Sequence, residues 1–139
     1  MGQQQLLLLV LSIVIVSIAV YIGIEFFGTM MQQRHADMLV NHAVHVASEA
    51  ITWRVKGSPF LGGGGSYSDL DTDGMAQLLM SEQRLPGTFQ ITLANGDDLE
   101  VTGVSDDFPE IGVRVVVDET EITETIIAYD SSITLPTPP

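Results

Sequence analysis

The feature that most constrains this chain is an uncharged apolar run close to its N-terminus. Residues 6–24 read LLLLVLSIVIVSIAVYIGI, and only Ser12, Ser17 and Gly23 interrupt the run. As an α-helix this segment is about 28 Å long, which matches the hydrocarbon thickness of a bilayer. A helix that is apolar all round is typical of burial in lipid or among other helices. The run therefore excludes a uniformly soluble, globular chain.

A cleaved secretory signal is the nearest alternative for this run. Such a signal has a basic start and a small-residue cleavage site. The chain begins MGQQQ, without Lys or Arg, and no Ala-x-Ala pattern follows the run. We therefore expect the segment to be retained. The first basic residue is Arg34, so the positive-inside rule gives little help with orientation, and the acidity of the rest of the chain favours an outward-facing domain.

The helical pattern continues beyond the apolar run. Two apolar series recur every seven residues and form one stripe at helical spacing: Ala36, Ala43 and Ala50, and Leu39, Val46 and Trp53. The opposite face is polar: Arg34, Asp37, Asn41, Ser48 and Thr52. Lys56, Gly57 and Pro59 are a typical helix stop. We predict one helix over residues 3–55 within an N-terminal region 1–57, apolar over residues 1–28 and amphipathic over residues 29–57.

The remaining residues, 58–139, are acidic, and we call them the head. The head holds fifteen Asp and Glu residues and two Arg, so it accounts for the net charge of −13 of the chain. A domain of this charge repels phosphate, which excludes nucleic acid as a partner. The chain has no cysteine, so disulfides and thiol chemistry are excluded. It has no nucleotide-binding loop and no recognisable catalytic triad, and we expect a protein that is not an enzyme.

Alternating apolar residues predict four strands in the head: 89–94, 99–102, 111–117 and 123–129. Asn95-Gly96 predicts a two-residue hairpin turn between the first two strands. Residues 60–66 form a glycine loop, and residues 135–139 are expected to be extended.

A short helix is also predicted in the head over residues 75–83, with Met75, Leu78 and Leu79 facing inward. The fold class is therefore α+β, a long N-terminal helix packed on a four-stranded, mainly antiparallel sheet. One face of such a sheet needs a cover, and the amphipathic half of the helix supplies it. The predicted packing residues of the helix are Leu39, Ala43, Val46, Ala50 and Trp53.

A long helix, apolar and then amphipathic, followed by a glycine-bearing loop and a four-stranded antiparallel sheet, resembles the type IV pilins and pseudopilins. The likeness covers the whole chain in architecture and residues 1–25 in sequence. It implies a subunit held in the inner membrane before a pilus-type assembly machinery adds it to an extracellular homopolymer, with the heads outside. The implied polymer core consists of Leu6, Leu7, Leu8, Leu9, Val10, Leu11, Ile13, Val14, Ile15, Val16, Ile18, Val20, Ile22 and Ile24.

The N-terminus departs from the type IV pattern. The family has a basic leader and a glutamate at the fifth mature position, whereas this chain has Gln5, or Leu7 if cleavage follows Gly2. The first acidic residue is Glu25. Burial of apolar helices in a filament core does not require that glutamate. The alternative function is a monomeric single-pass envelope protein with an acidic, outward-facing domain.

Calcium is the one candidate cofactor. Asp69, Asp71 and Asp73 alternate before Gly74, as in the first half of an EF-hand loop. The twelfth position of that loop, a bidentate glutamate in EF-hands, is Met80 here. The other interpretation is a solvated helix start, where aspartate interacts favourably with the helix dipole. Calcium binding in the heads of some pseudopilins favours the first interpretation.

Overall fold

A computed structural model of the chain describes residues 2–57, 62–84 and 87–135, without the side chains of residues 71–73. The elements are α1 (Gly2–Val55), α2 (Leu70–Gln77), β1 (Gln83–Arg84), β2 (Gly87–Ala94), β3 (Asp98–Ser105), β4 (Gly112–Asp118) and β5 (Glu121–Ala128). The predicted α+β class is confirmed. The sheet has five strands and not four, because the two-residue strand β1 pairs with the start of β2. Residues 136–139 of the predicted extended end, and residues 60–61 of the predicted glycine loop, lie outside the described residues.

The chain divides into two compact units, Met1–Gln33 and Arg34–Pro139. The described part of the first unit is helical throughout. Ser12 and Ser17 do not interrupt the helix, because their hydroxyls donate to the carbonyl oxygens of Leu8 and Ile13, each at 2.8 Å. Glycine in a helix interior costs only about 1 kcal/mol relative to alanine, so Gly23 and Gly28 do not end it either.

The second unit contains the last turns of α1, α2 and the sheet. The strands lie in the order β1-β2-β3-β4-β5, and every neighbouring pair is antiparallel. The predicted hairpin joins β2 to β3, but its turn lies one residue later than predicted. The backbone N–H of Asn95 donates to the Asp98 carbonyl at 2.9 Å, which centres the turn on Gly96 and Asp97.

The core of the second unit lies between one face of the sheet and the stripe on α1. The sheet contributes a row of buried apolar residues: Phe89, Leu99, Val101, Val113, Val115 and Val117. Two contacts in this core require glycine, because a Cβ atom would come too close to the neighbouring side chain. A Cβ on Gly87 would lie 3.0 Å from Leu39 Cδ2, and a Cβ on Gly103 would lie 2.5 Å from the Phe89 ring. Gly87 therefore allows α1 and the sheet to approach closely, and Gly103 leaves space for the ring of Phe89 on the neighbouring strand.

The short helix of the head was predicted in the wrong place. It spans Leu70–Gln77 and not residues 75–83. Met75 is buried and Leu78 packs against the core, but Leu79 is 94% exposed, so the prediction that Leu79 faces inward is wrong. The reason is the helix end, where Leu79 adopts φ +59° and turns its side chain away from the core. Backbone N–H groups of Leu79 and Met80 donate to the carbonyls of Ala76 and Met75, which is the Schellman arrangement.

Candidate functional site

The apolar half of α1 is an exposed surface. All fourteen residues predicted for a polymer core have between 48% and 67% of their surface exposed: Leu6, Leu7, Leu8, Leu9, Val10, Leu11, Ile13, Val14, Ile15, Val16, Ile18, Val20, Ile22 and Ile24. A monomeric soluble protein rarely exposes a contiguous apolar surface of this extent. This surface therefore requires a cover other than the described part of the chain.

α1 is long and apolar enough to cross a membrane, by length and composition. The most apolar window of the helix contains no residue buried within the structure. A signal sequence near an N-terminus meets the same criterion, so this property alone does not distinguish an anchor from a signal. Glu25 is the first charged residue after the apolar run. Its carboxylate accepts a hydrogen bond from the Tyr21 hydroxyl at 3.0 Å.

The second half of α1 is fixed to the sheet through its apolar stripe. The five packing residues predicted from the sequence, Leu39, Ala43, Val46, Ala50 and Trp53, are all buried in one cluster with the apolar strand residues. Ala36 and Ala47 are buried in the same cluster. Ala47 was not among the predicted residues, because it lies outside both heptad series, although it is four residues after Ala43. The polar face opposite is exposed at Asp37 and Ser48.

A polar cluster around Arg54 joins the end of α1 to the tip of the sheet. The Arg54 guanidinium pairs with the Asp97 carboxylate, and its carbon lies 5.2 Å from the centre of the Tyr67 ring. The Tyr67 hydroxyl donates to the Glu119 carbonyl. Tyr67 is fully buried, and burial raises the pKa of its hydroxyl even though Arg54 acts in the opposite direction. We call Arg54, Tyr67, Asp97 and Glu119 the Arg54 cluster.

Two histidines of α1 contact aromatic rings of the head. The His35 and Phe108 rings meet edge to face with 4.9 Å between centres, and His35 Nε2 lies 3.9 Å from Asp107 Oδ2. The His42 ring lies 5.9 Å from the Phe89 ring. These contacts begin about five turns before the Arg54 cluster, and so the helix is held to the head along most of its amphipathic half.

The structure places Asp69 at the start of α2. Asp69 is exposed, and its side chain makes no capping hydrogen bond. The side chains of Asp71 and Asp73 lie outside the described residues. Among the residues that are described, no group of three or more His, Asp or Glu side chains could hold a metal ion. Calcium binding stays a prediction.

The described parts of the chain thus present an exposed apolar half-helix and an acidic sheet fixed to the rest of the same helix. Comparisons of the chain with protein-family models, with curated proteins and with solved structures found no match.

Proposed function

We propose that this chain is a structural, non-enzymatic subunit of an extracellular pilin-like filament. It polymerises through the apolar half of α1 and exposes the acidic head. The observation that carries the proposal is the contrast within a single helix, Gly2–Val55. Its first half exposes all fourteen residues predicted for a polymer core, while its second half buries seven residues against the sheet: Ala36, Leu39, Ala43, Val46, Ala47, Ala50 and Trp53.

Burial of the apolar half among copies of itself supplies the driving force. Complete burial of one Val, Leu or Ile side chain is worth about 1.5–3 kcal/mol. Even half of that gain over fourteen residues is on the order of 10 kcal/mol for each subunit that leaves water. Lipid satisfies the same residues equally well, which agrees with an inner-membrane pool of subunits before assembly. Transfer from lipid into a filament then depends on helix packing and on a pilus-type assembly machinery.

The continuation of α1 into the head favours a filament over a simple anchor. An anchor needs only residues 6–24, whereas the helix runs on to Val55 and carries the sheet on its amphipathic half. The charge of −13 suits a head that stays in water on the outside of a polymer. Residues 2–24 have no charged side chain, so this part of α1 brings no side-chain charge into a helix bundle.

The second candidate is a monomeric single-pass envelope protein whose acidic head faces outward and binds calcium. Two observations favour it: α1 meets the length and composition of a membrane-spanning helix, and residues 69–74 carry the D-x-D-x-D-G pattern. Calorimetric titration of calcium into the protein, with Asp71→Asn as the comparison, tests the metal. A saturable heat that Asp71→Asn removes supports the calcium site, and no calcium-dependent heat in the parent protein ends it.

Electron microscopy of detergent-free material tests the filament directly. The filament proposal predicts ordered polymers, whereas the envelope protein predicts single particles or proteoliposomes. Val14→Asp should abolish the polymers, because a charge in the core is left without a partner. Val14→Leu is the matched control and should retain them. Alkaline extraction of the membrane fraction shows whether Val14→Asp still inserts, and only polymers lost from an inserted, folded variant support the proposal.

A further inference from the structure

The two edges of the sheet differ in length and in cover. At one edge β1 is only two residues long, and α2 packs on the neighbouring strand β2, where a Cβ on Gly74 would touch the Ile91 side chain. At the other edge β5 is eight residues long, and its outer side has no partner strand among the described residues. A long open edge presents backbone donors and acceptors to a further strand. The β5 edge of the sheet can therefore form hydrogen bonds with a further strand.

The residues of β5 restrict pairing with a further strand to the second half of β5. The first half carries Glu121 and Glu124, and the β4–β5 register shifts between Val116 and Val117. Charges and bulges are two devices that discourage pairing at a sheet edge. Residues 125–129 carry no charge, and they expose Ile126 by 37% and Ile127 by 40%.

We propose that residues 124–128 of β5 pair antiparallel with the same residues of a second copy of the chain, which joins two five-stranded sheets into one. A second copy is the occupant that the sheet topology favours. Each head offers one long open edge, so a contact between two such edges is two-fold symmetric and closes at two copies. The same apolar residues are then covered on both copies.

Charge selects the register of this pair. Ile127 lies opposite Val113 and so on the buried face of the sheet, whereas Ile126 lies opposite Arg114 on the other face. If both cores lie on the same side of the joined sheet, opposite residues share a face, and an isoleucine lies opposite its own copy when the pair centres on Ile126 or on Ile127. Centring on Ile126 places Glu124 opposite Ala128 of the second copy.

Centring on Ile127 instead places Glu124 opposite Asp130 of the second copy. Hydrogen bonds from the side chain and the backbone N–H of Ser132 lower the pKa of Asp130, so this carboxylate is ionised at neutral pH. Like charges directly opposite each other destabilise a strand pair. The register with Ile126 opposite Ile126 is therefore the favoured one.

The contact between two heads is weak and depends on salt. A five-residue strand pair covers far less than the roughly 1,600 Å² of a standard protein interface. Two acidic heads also repel each other over a Debye length, about 30 Å at 0.01 M salt and about 3 Å at 1 M. In the proposed filament all subunits point the same way, so a two-fold contact joins heads of two filaments, and many contacts act together. This last consequence rests on the proposed function, whereas the pairing itself does not.

Cysteine cross-linking of the full chain in detergent tests the pair, because the natural sequence has no cysteine. Directly opposite residues have Cα atoms about 4.5–5.5 Å apart, within the range of a disulfide. Ile126→Cys should give a disulfide-linked dimer on oxidation, with a yield several-fold higher at 1 M than at 0.01 M NaCl. Ile127→Cys and Leu93→Cys, at residues that are each 40% exposed, should give several-fold less at either salt concentration. Equal yields from the three variants, or no dimer from Ile126→Cys, would overturn the proposal.

A second variant separates this pairing from polymerisation. Ile126→Cys combined with Val14→Asp should still cross-link, because the apolar half-helix takes no part in the contact. Where filaments form, Ile126→Glu should leave them intact but prevent their lateral association at 1 M salt, seen as single filaments by electron microscopy. Bundles that persist in Ile126→Glu contradict the β5 pair, whereas an absence of filaments in the parent contradicts only the proposed function.

Discussion

Arg54 and Asp97 form an ion pair, with 2.5 Å between Nη2 and Oδ1, that joins the last turn of α1 to the turn between β2 and β3. The two partners differ in their access to water. The Arg54 side chain is 13% exposed, whereas the Asp97 side chain is 62% exposed. Loss of the Asp97 carboxylate therefore leaves the Arg54 guanidinium without an ionic partner at a place where little water can hydrate it.

Asp97→Asn should lower the free energy of unfolding by about 1 kcal/mol, between the values typical of exposed and buried pairs. Asp37→Asn makes the same change of charge on the exposed face of α1 and should shift it by less than about 0.5 kcal/mol. Urea denaturation of both variants measures the difference. Equal effects would show that net charge, and not the pair with Arg54, determines the result.

Trp53→Ala should destabilise the second unit by about 3 kcal/mol, because it removes a large buried side chain beside Gly63. Val55→Ala truncates an exposed residue two positions later and should cost less than about 0.5 kcal/mol. Thermal unfolding followed by circular dichroism compares the two. An unchanged melting temperature for Trp53→Ala would contradict docking of the helix on the sheet.

Leu79→Gly should stabilise the protein by about 0.5–1 kcal/mol. Leu79 has φ +59°, a left-handed conformation that costs a side chain about 1–2 kcal/mol and costs glycine nothing. Little burial is lost, since the side chain is 94% exposed. Leu78→Gly, at a residue with φ −80° that packs on the core, should destabilise instead. A lower denaturation midpoint for Leu79→Gly would mean that Leu79 makes a contact within the fold.

The free energy of unfolding should fall at high pH because of the buried hydroxyl of Tyr67. Burial raises the pKa of its hydroxyl above the ordinary value of 10.0. Above pH 10 the unfolded chain loses this proton while the folded chain keeps it, so the unfolded state gains in stability as the pH rises. Urea midpoints between pH 8 and pH 11 should fall more steeply for the parent than for Tyr67→Phe. Identical slopes would assign the loss to other groups.

Periodic patterns in the sequence predicted most of the fold. The two heptad series predicted the buried stripe of α1, and alternating apolar residues predicted β2, β3, β4 and β5. Both predictions were possible because repeated burial on one face leaves a repeated pattern in the sequence. β1 and α2 were missed or misplaced, since two and eight residues are too few for a period to register. At the end of α2, Leu79 occupies a position where glycine is usual, so the sequence held no stop signal there.

The Arg54 cluster could not be predicted from local patterns. Arg54 and Asp97 are 43 residues apart, and Tyr67 stands alone beside a glycine- and serine-rich segment. Only the tertiary fold brings a helix end, a loop and two turns together. The apolar half-helix is the opposite case, because its composition alone indicated a surface that the described part of the chain leaves exposed.

The contacts between α1 and the head have a mechanical consequence. They are distributed from His35 against Phe108, through Leu39 against Gly87, to Trp53 and Arg54 near the helix end. Residues 35–54 span about 28 Å of helix. Tension parallel to this part of the helix loads all of these contacts together in shear, whereas a force across it opens them one after another. The junction is therefore built to bear load along its own axis.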